Sequence, residues 1–185
     1  MWRKNYGKKE RKDKANSRYD DYQMLITPNQ VQMYLEGDNV KSVNILVKNL
    51  NEDIDYGISQ TNYCSIRDHL FVLILFSNAC RSGVPAGMLV TEFNSAEIKS
   101  DDSYCIKVKD HKTDYLYGPF LLILKPDVYN LLHFFVNKVR DLVNPAAPQV
   151  LLSCNGNRMT GIFSYLYILY NYIIIKKNVF YISIL

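Results

Sequence analysis

Three groups of cations have the type and placement to do chemistry. Arg81 stands in the stretch NACRSGVPAGMLVTEF (78–93), just beyond LFVLILF, the most apolar run of the chain. About thirty positions later IKVKDHKTDY carries Lys112, beside His111 and Thr113, in a polar segment between two apolar ones. The first 21 residues hold eight Lys/Arg, among them Lys8, Lys9, Arg11, Lys12 and Lys14, against four acids. Fixed cations suit phosphate. A transition state on a phosphodiester carries extra negative charge on its non-bridging oxygens, and cations aimed at them stabilise it without a metal. Arginine offers a planar fork of two parallel hydrogen bonds, and a lysine on a loop can serve as general acid for the leaving oxygen. Arg81 has a plainer reading too: a cation near a helix C-terminus, worth about 0.3–1 kcal/mol against the macrodipole, with Gly83 as left-handed cap and Pro85 as the stop beyond.

Other chemistries find no footing. His69, His111 and His133 form no HxxH or HExxH pattern, and Cys64, Cys80, Cys105 and Cys154 form no CxxC pair. We therefore expect no metal site, no cofactor and free thiols in a reducing compartment. No apolar stretch follows the basic start, so no signal peptide is expected. Outside residues 1–21 the 14 basic and 14 acidic residues cancel, so the whole excess of +4 sits in the N-terminal arm. Such an arm suits nucleic acid, an import receptor or an acidic surface; it also suits a solvated tail. By residue type alone Lys112 reads as a solvated loop lysine, His111 as a loop histidine, Lys107 and Lys109 as the wet face of a strand, and Arg67–Asp68 as a surface ion pair.

The elements that must position these residues follow from pattern. TPNQVQMYLEG reads as a helix start: Thr27 caps, Pro28 takes the first helical position and Gln30 completes a capping box. NVKSVNILVKNLN repeats Val40, Val43, Leu46, Val47 and Leu50 at helical spacing, and DIDYGISQTN reads as a loop. YCSIRDHLFVLILFSNACR is the central helix, apolar on every face from Leu70 to Phe76 and hence buried on every face. A short helix is expected in PAGMLVTEFNSA. SYCIKVKDHKTDYLYGPFLLILK changes period: Tyr104, Ile106 and Val108 alternate with Cys105, Lys107 and Lys109, and FLLILK returns, which predicts a hairpin with Lys112 on its loop. In PDVYNLLHFFVNKVRDLVN, Val128, Leu131, Leu132, Phe135, Val139, Leu142 and Val143 make one helical stripe. QVLLS reads as an extended piece and CNGNR as a turn. The fold class is thus mainly α with a small antiparallel hairpin or sheet (α+β).

This order resembles the catalytic domain of the tyrosine recombinases, the phage integrase family, in the form carried by eukaryotic mobile elements. NACRSGVPAGMLVTEF is similar to the family's helix end, first arginine, turn, short helix and acid, with Arg81 as the arginine and Glu92 near the acidic position. IKVKDHKT is similar to its hairpin lysine, with Lys112 the match. GPFLLILKPDVYNLLHFFV resembles the returning strand and following helix, and VLLSCNGNRMT the segment leading to the second half of the site. The resemblance spans roughly 65–160. It implies DNA as partner, a possible homo-oligomer on DNA, a nuclear location, and phosphotyrosyl strand exchange without metal or ATP. It also implies a His-x-x-Arg motif and a nucleophilic tyrosine, yet no His and no Arg follow Arg158. Gly83 and Val84 stand where the family has a small polar residue and an acid. We therefore expect a truncated, inactive domain: a basic flexible arm (1–24), an N-terminal helical segment (25–60), a truncated catalytic domain (61–160) and an apolar tail (161–185). The tail is almost wholly Ile, Tyr, Leu, Phe, Asn and Lys. Read as protein, it is a membrane span through 159–175, which we disfavour, or a packed helix or strand. Read as A/T-rich codons, it is the translation of an intron, a frameshift or decayed element DNA, and we prefer that. The rival functions are a non-catalytic DNA-binding or protein-interaction module and a small membrane-anchored protein.

Overall fold

The protein, seen here in a computed structural model, is described over residues 27–52, 57–109 and 118–159. It divides into two compact units between Leu35 and Glu36. In the first, α1 (Pro28–Leu35) opens as its sequence dictates. The Thr27 N–H donates to Gln30 Oε1 at 2.8 Å and the Gln30 N–H to Thr27 Oγ1 at 3.3 Å, the reciprocal capping box.

The second unit holds α2 (Asp38–Glu52), α3 (Gln60–Asn78), α4 (Gly83–Gly87), α5 (Val90–Asn94), β1 (Glu97–Ile98), β2 (Tyr104–Val108), β3 (Phe120–Leu124) and α6 (Pro126–Phe134). This is the expected α+β class. α2 buries Val40 and Val43 and lays Leu46, Val47 and Leu50 against the core. α3 is the axis of the core. Tyr63, Ile66, Leu70, Phe71 and Ile74 are all at most 1% exposed. It begins three residues earlier than YCSIRD suggests, because Ser59 caps it: Ser59 Oγ accepts from the Asn62 N–H at 3.1 Å.

The end of α3 corrects one expectation. The left-handed cap is Ala79, with φ of 45°, and Gly83 instead opens α4. The chain therefore leaves the helix at Asn78, and Arg81 lies outside its last turn. Asn78 explains the early stop. Its Nδ2 donates to Ile74 O at 3.3 Å and its Oδ1 accepts the Ile123 N–H of β3 at 2.7 Å, so one side-chain amide closes the helix end and ties it to the sheet.

The sheet is antiparallel in the order β1–β2–β3, with Cys105 opposite Ile123 and Ile106 opposite Leu122. Ile106, Val108, Leu122 and Leu124 point inward and are fully buried, while Lys107, Leu121 and Ile123 face outward, as strand alternation requires. β1 was not expected; two residues are too few to show a period.

α6 starts at Pro126 and runs on as a π-helical turn (Phe135–Val139) and a 3₁₀ turn (Arg140–Val143). Val128, Leu132, Phe135 and Val139 are buried, but Leu142 is 55% exposed, contrary to the stripe. Each change of helical pitch rotates later residues about the axis, which carries Leu142 off the core face. The segment after α6 is extended: the Val90 N–H donates to Pro148 O at 3.0 Å and the Val150 N–H to Met88 O at 2.8 Å. A turn then reverses the chain between Ser153 and Asn157. Gly156 sits there with φ of 75°, and a Cβ would lie 2.5 Å from Asn144 O and 2.7 Å from Val143 O, so no other residue fits. No helix among the described residues is long and apolar enough to cross a membrane. Of the candidate span 159–175 only Met159, a core residue, is described.

Candidate functional site

Arg81 is exposed on the link between α3 and α4. Its carbonyl accepts the Val84 N–H at 2.9 Å, which fixes the backbone in a turn at the mouth of α4. Its guanidinium meets no side-chain or backbone acceptor among the described residues. That distinguishes it from Arg140 and Arg67. Arg140 donates through Nε to Gln149 O at 3.0 Å and through Nη2 to Ala147 O at 2.8 Å. Arg67 donates through Nη1 to Leu152 O at 3.0 Å and pairs with Asp68 at 2.8 Å. Both hold backbone carbonyls in place; Arg81 is open to a ligand.

Arg67 is a second correction. The Arg67–Asp68 pair is not on the surface, for the arginine side chain is only 3% exposed. Its Cζ lies 5.8 Å from the centroid of Tyr63, and Tyr63 Oη donates to the same Leu152 O at 3.3 Å. Burial raises the Asp68 carboxyl above the ordinary range in spite of the arginine beside it. The same burial takes the Tyr63 hydroxyl up to about 12 and His69, on the next face, down to about 4. The periodicity carried the signal: residue 67 lies one turn after Tyr63 and one turn before Leu70.

Glu92 stands at a junction that its sequence position alone did not reveal. Its Oε2 accepts the Leu89 N–H and its Oε1 accepts the Lys109 N–H, each at 2.9 Å. One carboxylate thus caps α5 and grips the last described residue before the hairpin loop. Charge-assisted bonds to two N–H groups hold that loop's base to the helical side of the unit. Lys107, on the strand's outer face, pairs with Glu97 at 2.7 Å, and Lys99 joins the same carboxylate at 3.2 Å. The hydrogen bond from Lys107, then that from Lys99, holds the Glu97 carboxyl below the usual range.

Lys112 and His111 lie in 110–117, outside the described residues, as do Lys8, Lys9, Arg11, Lys12 and Lys14 of the arm. The structure therefore brings Glu92 to the root of the loop that carries Lys112, and leaves Arg81 free at the junction of α3 and α4. No cluster of three or more metal-ligating side chains occurs among the described residues. No family model matches the chain, and no curated protein and no solved structure matches it.

Proposed function

We propose that this chain is a DNA-binding, integrase-like fragment of the tyrosine-recombinase catalytic domain. The observation that carries the reading is the unpartnered, exposed guanidinium of Arg81 between a buried helix and the start of the sheet. The element order supports it: α3, Arg81, short helices with Glu92, a three-stranded antiparallel sheet whose last hairpin carries Lys112, then α6. That is the order on which the resemblance rests. In this reading Arg81 forks onto a DNA phosphate, Lys112 adds a cation to the same backbone from its loop, and Glu92 positions the loop's base without touching DNA. The nucleus is the matching location. The arm adds sequence-independent affinity. Residues 159–185 contain no His and no Arg, so they do not supply the family's second arginine and histidine.

The test is Arg81→Lys in a variant lacking residues 1–21, so that the arm cannot mask the loss. Lysine keeps the charge but not the fork. We expect duplex-DNA affinity to fall about tenfold, the equivalent of one lost charge-assisted bond, with an unchanged melting temperature. A drop in melting temperature with intact DNA binding would return Arg81 to a structural role.

A second reading, a non-catalytic protein-interaction module, draws on the outer face of the sheet. There Leu121 is 53% and Ile123 41% exposed.

A further inference from the structure

The N-terminal half of α3 and the turn that follows β-like residues 149–152 are stitched together by side chains from one helical face. Gln60 Nε2 donates to Cys154 O at 3.4 Å, while Tyr63 Oη and Arg67 Nη1 both donate to Leu152 O. Cys64 lies one residue past Tyr63, one turn after Gln60 and one turn before Arg67, so it belongs to the same face. Burial raises the Cys64 thiol, and the Cys154 thiol, close enough to interact with it, adds to the rise. Both cysteines are half-buried. Cys154 also lines a cleft of about 260 Å³, open to solvent, together with Ser59, Gln60, Tyr63, Val143 and Asn144.

From this placement we infer that Cys64 and Cys154 are a redox pair, able to close a disulfide that latches the 153–157 turn onto α3. The other two thiols are poor rivals. Cys105 is 2% exposed on β2. Cys80 lies beyond the far end of α3, and from Cys64 to the last helical residue, Asn78, there is roughly 21 Å of helix at 1.5 Å per residue. A disulfide needs Cα atoms within about 7 Å.

The chemistry needs an oxidant, and a small disulfide such as oxidised glutathione suffices. The Cys154 thiolate, on the cleft, attacks one sulfur of the oxidant, forms a mixed disulfide and releases one glutathione thiolate. The Cys64 thiolate then attacks the Cys154 sulfur and releases the second glutathione. Two protein thiols lose two protons and two electrons; one glutathione disulfide becomes two thiols. The bridge closes a loop with 89 residues between its ends, long enough for the crosslink to restrict the unfolded chain strongly. Since Cys154 lies in the turn between Ser153 and Asn157, oxidation fixes that turn to the central helix.

The full chain, reduced and then treated with oxidised glutathione, tests this. We expect a monomer two mass units lighter, a single crosslinked peptide pair containing Cys64 and Cys154, reversal by dithiothreitol, and a melting temperature several degrees higher when oxidised. Cys64→Ser and Cys154→Ser should each abolish the crosslink, and Cys80→Ser should not. Differential alkylation of the unmodified protein gives the same answer if a variant fails to fold. The inference is overturned if Cys64 and Cys154 both remain alkylatable after oxidation, if the crosslink contains Cys80 or Cys105, or if only intermolecular dimers form.

Discussion

Arginines and one histidine show how much burial decides. Arg67 and Arg81 are both single cations in or beside the same apolar helix, yet one is enclosed and bonded to Leu152 O while the other faces solvent unpartnered. The helix end separates them: Arg67 lies inside α3, one turn from Tyr63 and from Leu70, and that phase is readable from sequence, whereas Arg81 lies beyond Asn78, the last residue of α3. What the phase could not show was the partner, since Leu152 lies 85 positions away. His69 gives a pH prediction. Burial lowers it from 6.5 to about 4, so between those values the unfolded chain carries a proton that the folded chain does not. The unfolded state then binds more protons, and stability falls as pH falls through this window. Its full effect is on the order of 3 kcal/mol. Urea midpoints from pH 7 to 4 should drop steeply in the native protein and less steeply in His69→Leu; equal slopes would clear His69. Glu92 was legible as an acid near the start of the sheet, but its two backbone partners, Leu89 and Lys109, emerge only when α5 and β2 meet.

At the scale of elements, strong periods were read correctly and weak ends were not. The capping box at Thr27, the stripe of α2, the buried α3 and the alternation of β2 all follow from residue spacing. The end of α3 did not, because glycine is the ordinary left-handed residue and Ala79 took the role instead. Alanine pays a steric cost there of about 1 kcal/mol that glycine avoids. Ala79→Gly, at an exposed position, should therefore raise the melting temperature by about 2 °C in a chain of this size. A lower melting temperature would mean that the chain's added freedom in the unfolded state outweighs the relief. The π turn after α6 was equally hidden, since no residue type announces it; only the exposure of Leu142 betrays it.

For the molecule as a whole, charge is segregated. The arm holds the entire excess of +4, and the remainder is neutral. If the arm drives DNA association, removing residues 1–21 should weaken duplex binding and flatten its dependence on salt, because each phosphate contact releases counterions. Titration at two salt concentrations reads both; an unchanged slope would make the arm a bystander. A suicide DNA substrate should trap no covalent adduct with the full chain, given the absence of His and Arg after Arg158. An adduct lost on mutating one tail tyrosine would overturn that expectation. Composition made the arm and the tail conspicuous, but neither has the helical or strand period that ties a segment to a core. Their parts in the fold were therefore not legible in the way those of α3 and β2 were. The Asn78 amide, finally, has a consequence for solubility. β3 is an edge strand, and an edge with free N–H groups is a template on which another chain can add a strand and begin to aggregate. Asn78 Oδ1 occupies the Ile123 N–H at the middle of that edge, beside the exposed apolar Leu121 and Ile123. The side chain that stops the central helix also stands guard over the stickiest border of the sheet.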